Sequence, residues 1–141
     1  MDDANEITRT IIGEAIAVHR KLGTAAREVS YETLLMARLE QRGLHVARQV
    51  EIDVRDSGIV LHRACRMDLV VEECVVVEIK RAVRFAPLHK NQLLTYLRLS
   101  GHRLGLLIDF GRQRLVDGVI RVVNDYDGPP LPPRSGKRSA A

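Results

Sequence analysis

Asp68, Glu78 and Lys80 are the residues of this chain whose types and spacing point most directly to chemistry. They lie on two β-branched runs separated by Glu72-Glu73-Cys74, a short polar interruption that favours a tight hairpin. A three-residue turn there sets Val71 facing Val75, and counting outward places Asp68 opposite Glu78 and Arg66 opposite Lys80. Directly paired residues share a face with Cβ atoms about 5 Å apart, and like charges so placed repel. A divalent cation between the two carboxylates would resolve that conflict. Side chains alternate along a strand, so Glu78 and Lys80 project to one side while Ile79 points into the other layer. Two carboxylates and an amine therefore converge. In a chain that is 28% charged, an acid-x-Lys triplet also arises by chance as an exposed pair, so the triplet counts only in its structural context.

The elements that must position these residues can be read on either side. Asn5 is placed to cap a first helix whose apolar positions Ile7, Ile11, Ile12, Ala15, Val18 and Leu22 recur at helical spacing, with Gly23 to end it. A link from Thr24 to Arg27 leads to a second helix with Leu34, Leu35 and Leu39 as its buried stripe and Gly43 as its stop. Glu28 and Tyr31, three apart, lie in its first turn. Val46, Val50, Ile52 and Val54 alternate with polar residues as in a half-buried strand, and Asp56-Ser57-Gly58 turns the chain back into a strand from Ile59 to Val71. After Lys80, Pro87 opens a third helix that ends at Gly101, carrying His89, Gln92 and Tyr96 along one stripe. Leu104 to Phe110 reads as a buried strand, and Leu115 to Val123 as a last one.

Composition bounds the function. The 141 residues, 45% hydrophobic, fit one compact domain with a real core, expected over residues 1–124. Residues 125–141, rich in Pro, Gly and basic residues, are expected to form a disordered tail. No apolar run approaches a membrane span, and the acidic N-terminus does not resemble a signal peptide, so a cytoplasmic location is expected. Cys65 and Cys74 lack zinc-type spacing and are read as reduced and structural. The net charge is only +4, but no Asp or Glu occurs from Arg81 through Ile108, where Arg81, Arg84, Lys90, Arg98 and Arg103 all fall. Such a one-sign segment beside the acidic hairpin attracts phosphates and favours salt-dependent binding of nucleic acid. Aromatic content of 4% argues against a stacking platform for single strands.

The hairpin resembles the PD-(D/E)xK nuclease superfamily, here as Asp68 and Glu78-Ile79-Lys80, with Met67 in the place of proline. A closer resemblance, from Ile11 to about Asn124, is to the small bacterial GxxExxY protein family. It rests on His19-Arg20-Lys21-Leu22-Gly23, Glu28 with Tyr31, Arg66-Met67-Asp68-Leu69, Val77-Glu78-Ile79-Lys80 and His89 through Leu97. Ala25 stands where that family's name requires Gly. Gln92-Leu93-Leu94-Thr95-Tyr96 is similar to the QxxxY element of RecB-like nucleases.

These resemblances imply an α/β fold, the restriction-endonuclease-like core of a central mixed sheet flanked by helices. They imply a metal-dependent nuclease acting on phosphodiester bonds, with DNA favoured over RNA. Asp68, Glu78 and the carbonyl of Ile79 would hold Mg²⁺ or Mn²⁺, with Glu28 completing the acidic cluster. Lys80 would orient or help deprotonate the attacking water. Gln92, Tyr96, Tyr31 and His89 would position the substrate, and Arg81, Arg84, Lys90 and Arg98 would hold phosphates without reading bases. Two rivals share the fold: a nucleic-acid-binding or regulatory module that does not cleave, and a module that docks on a protein partner or a second copy of the chain. Metal-dependent cleavage separates the first from a nuclease, and weak binding to every nucleic acid at moderate salt marks the second.

Overall fold

Alternating apolar positions and local turn chemistry dictate the central sheet, which the computed structural model describes over residues 3–82, 86–125 and 138–139. β1 (Val46–Asp56) and β2 (Ile59–Val71) are joined by a two-residue turn in which Ser57 (φ 50°) and Gly58 (φ 79°) both take the left-handed conformation that such hairpins require. β2 returns into β3 (Val75–Lys80) through Glu72-Glu73-Cys74, and Val71 pairs with Val75 as the three-residue turn predicts. β3 runs parallel to β4 (Leu104–Asp109), the two connected across a face of the sheet by α3 (Pro87–Ser100). β5 (Val119–Val123) is antiparallel to β4, and the two-residue β6 (Arg138–Ser139) lies against β1, so the order is β5-β4-β3-β2-β1-β6.

Two apolar layers hold this mixed sheet. On one face α1 (Ala4–Leu22) and α2 (Glu28–Gln41) bury Ile11, Val18, Leu35 and Leu39 against Leu69, Val77, Ile79 and Leu106. On the other, Leu93 and Leu97 of α3 cover Met67, Val76 and Leu107. Glu14 bridges the first two helices by pairing with Arg38 at 2.8 Å and Arg42 at 3.3 Å. No described helix is long and apolar enough to cross a membrane.

The expected order of helix, helix, three antiparallel strands, helix and strand is present. Three local details differ. Asp3, not Asn5, caps α1: its extended backbone lets Oδ1 accept from the Glu6 N–H at 2.8 Å, while Asn5 accepts from Arg121. Leu34 is only half-buried, so the inner stripe of α2 runs through Tyr31, Leu35 and Leu39. Leu115–Gly118 is a short 3-10 helix, η1, because Leu115 must turn into the core before the extended run from Val119 begins. Of the expected tail, residues 126–137 and 140–141 lie outside the described residues.

Candidate active site

The β2–β3 ladder stops at Leu69↔Val77, one step before the expected Asp68–Glu78 pair. From there the strands part, and side chains replace the backbone ladder. The Asp68 N–H donates to Glu78 Oε1 at 3.0 Å, and the Ile79 N–H donates to Asp68 Oδ2 at 2.9 Å. The β1–β2 ladder also skips this step: Arg48 pairs with Leu69 and Val50 with Met67, while Gln49 between them takes φ 52°. That irregularity reverses the faces. Leu69 packs under α1 and α2, whereas Met67 packs under α3. Asp68 therefore sits at a point where β2 loses regular pairing on both edges, which is how a carboxylate can stand in the plane of a sheet.

α2 closes the cleft from above. Glu28, at its first position, accepts the Arg81 N–H at 3.1 Å, tying the helix start to the exit of β3. A cleft of about 420 Å³ results, lined among others by Glu28, Glu32, Arg48, Arg66, Asp68 and Ile79. Glu78 lies beneath it, only 3% exposed. Burial raises the Glu78 carboxyl to about 8, with the nearby Asp68 charge adding to the shift. Burial raises Asp68 as well, against the lowering effect of its bond from Ile79 and of Lys80. Two acids that resist ionising side by side form a site that favours a cation.

Among the described residues no three His, Cys, Asp or Glu side chains form a ready-made metal cage. The donor set nonetheless fits a hard cation. Asp68 Oδ1 and Glu78 Oε2 accept no hydrogen bond among the described residues, leaving each acid one oxygen to offer. In a strand the N–H and C=O of one residue point to the same edge, so the Ile79 carbonyl faces the gap that its N–H already enters.

The other expected residues are distributed around this centre. Lys80 leaves the gap on the β4 side, opposite Asp109, and its charge acts on both Asp68 and Glu78. Half-buried Tyr96 feels the same acids from α3: burial first, then the charges of Glu78, Cys65 and Asp68, push its hydroxyl pKa up. Gln92 is half-buried one turn earlier. His89 Nδ1 accepts the Ala86 N–H at 3.4 Å, a contact at the start of α3. Arg81, Lys90 and Arg98 are exposed, and Arg84 lies outside the described residues.

Tyr31 does not face the cleft. It is fully buried and stacks on Phe110 at 4.4 Å between ring centroids. Its hydroxyl donates to the Gly23 carbonyl and accepts the Ala26 N–H, so it braces the α1–α2 link. Sequence reasoning missed Glu32, which is 5% exposed in the cleft wall and held by Arg48 and by Gln49 at 2.6 Å. The signal was present: Glu28 and Glu32 are four apart and share a helix face. It also missed Asp109, wholly buried, whose Oδ1 accepts the Ala82 N–H at 2.8 Å and the Gly111 N–H at 2.9 Å just beyond Lys80.

A mixed sheet clasped by helices, with paired acids and a lysine where its central strands part, defines a nuclease-like α/β domain. A family model described as the PD-(D/E)XK nuclease superfamily matches residues 5–122, and the chain belongs to that superfamily. Its members generally use divalent metals, and membership implies a nucleic-acid substrate. A solved structure titled "Crystal structure of SSO0001" is similar with a TM-score of 0.47 and 19% identity, covering 86% of this chain and 79% of that one. The search of curated proteins found no match.

Proposed function

We propose that this chain is a metal-dependent nuclease that hydrolyses phosphodiester bonds, with DNA as its substrate and Mg²⁺ or Mn²⁺ as its cofactor. The observation that carries the reading is the parting of β2 and β3 around Asp68 and Glu78, whose carboxyls are raised by burial and whose second oxygens remain available. Asp68, Glu78 and the Ile79 carbonyl would hold the metal, with Glu28 at the cleft wall. When bound, it supplies Lewis acidity toward the phosphate and a water of lowered pKa.

The chain's own residues do the rest. Lys80 places a positive charge beside both acids, where it orients the attacking water and offsets charge on the phosphate. Glu28 and Asp109, by accepting the N–H groups of Arg81 and Ala82, hold the strand exit that carries Lys80. Tyr96 and Gln92 approach from α3 and position the substrate, while Arg81, Lys90 and Arg98 hold phosphates.

The test pairs Mn²⁺ calorimetry with cleavage of labelled single-stranded, double-stranded and branched DNA. Asp68→Asn and Glu78→Gln keep an oxygen for the backbone N–H groups that alanine would strip. Each should weaken Mn²⁺ binding and slow cleavage by about two orders of magnitude or more, with the double variant little worse than either single one. Lys80→Ala should bind Mn²⁺ and still cut poorly. Retained cleavage in Glu78→Gln would remove this site from the chemistry.

A further inference from the structure

We propose a second phosphate-binding subsite on the α1 side of the cleft, formed by Arg20 and Arg114 around His19, which receives the substrate strand after it leaves the acidic centre. The inference rests on the nuclease reading and deepens it.

A separate cleft of about 320 Å³ opens between the last turn of α1 and the β4–η1 connection, with His19, Arg20, Gln113 and Arg114 over a floor of Ile16 and Leu115. Its shape is set by buried contacts. His19 Nε2 donates to the Arg112 carbonyl at 2.8 Å, and its ring lies 6.3 Å from that of Phe110. The Asp109 carboxylate fixes the start of the same loop through the Gly111 N–H. Gly118 closes it from the far end: a Cβ there would lie 2.5 Å from the Asp109 carbonyl oxygen, so η1 can pack this tightly only on glycine.

The charges at the mouth are not spent on ion pairs among the described residues. The described ion pairs engage Arg38, Arg42, Arg48, Arg63 and Arg112, and neither Arg20 nor Arg114 has a carboxylate within ion-pairing distance among the described residues. Both side chains are exposed. Two uncompensated guanidiniums at one concave opening suit a phosphate, which they can bind in a planar, bidentate manner.

The position relative to the acids makes the ligand a strand and not an isolated ion. Lys80 is in register with Asp109 on the adjacent strand, about 4.8 Å away, and the 111–114 loop follows directly. Tyr31, one turn after Glu28, stacks on Phe110 immediately before that loop. The basic cleft and the acidic centre thus share one end of the sheet. Lys90 and Arg98 belong to α3, on the opposite layer, so a phosphate chain passing the acids would be held on both sides.

The experiment measures binding of fluorescein-labelled oligothymidylates of increasing length, without catalysis, over a range of salt, for the parent and for Arg20→Gln/Arg114→Gln. The double variant should bind long oligonucleotides about tenfold more weakly, with a log K against log salt slope shallower by about 1.4. Short oligonucleotides, and Mn²⁺ by calorimetry, should bind as in the parent. Unchanged affinity and slope for long strands, with Mn²⁺ binding intact, would overturn the subsite and leave the acidic site standing. If inorganic phosphate binding is lost in the double variant while oligonucleotide binding is not, the cleft takes a small anion and the strand path is wrong. Loss of Mn²⁺ binding in Glu78→Gln, measured alongside, reports on the nuclease reading independently.

Discussion

Glu78 carries the site's electrostatic conflict in one side chain. Its carboxyl lies near 8 in the fold against an ordinary 4.5, because burial and Asp68 disfavour its charge. Between those values the metal-free folded chain keeps a proton that the unfolded chain has lost, so stability is fully present below about pH 4.5 and falls as pH rises through about 8. Asp68, also raised, acts in the same direction. Thermal melting of the metal-free protein should show this decline, and Glu78→Gln should flatten it and melt higher than the parent at the alkaline end. An equal slope in both proteins would contradict the burial argument. Binding of Mn²⁺ near neutral pH should release about one proton, seen as a dependence of the calorimetric heat on the buffer's ionisation enthalpy.

At the scale of elements, the α1–α2 link matters most, since it aims the first turn of α2 at the exit of β3. Gly23 ends α1 at φ 73°, and the buried Tyr31 hydroxyl bridges Gly23 and Ala26 across the link. Tyr31→Phe keeps the stack on Phe110 but leaves the Gly23 carbonyl without that donor. Urea unfolding should show a loss of about 1–3 kcal/mol. Because Tyr31 is buried against Phe110 and does not line the cleft, the loss should appear in stability before it appears in cleavage. A variant as stable as the parent but unable to cut would return Tyr31 to the substrate.

Across the whole molecule, a net charge of +4 understates the field that a phosphate chain meets beside the cleft, because no Asp or Glu occurs from Arg81 through Ile108. Arg81, Lys90 and Arg98 are exposed along the strand exit and α3. Neutralising all three should weaken binding of every DNA sequence alike and make the salt slope shallower by about 2 to 3. Fluorescence anisotropy at several salt concentrations checks this, and a sequence-dependent loss would show base reading in place of phosphate contact.

The hairpin register, the positions of all three helices and the meeting of Asp68, Glu78 and Lys80 were legible in the sequence. They depend on signals within a few residues: β-branched runs about a three-residue turn, and glycines at helix ends. The same local logic failed for the cap of α1 and the start of β5, where neighbouring residues offered equivalent alternatives. Tertiary packing alone decided the rest. Only the approach of α2 to β3 shows that Glu32 lines the cleft while Tyr31 turns into the core, since helical spacing groups residues by face but does not say which face meets the sheet. The left-handed turn at Gln49 that frees Asp68 has no glycine to announce it. His19 and Arg112 are 93 positions apart, and their bond exists because α1 and the β4–η1 loop pack together. Periodicity reports which residues are buried; which buried residues touch is set by how the layers dock.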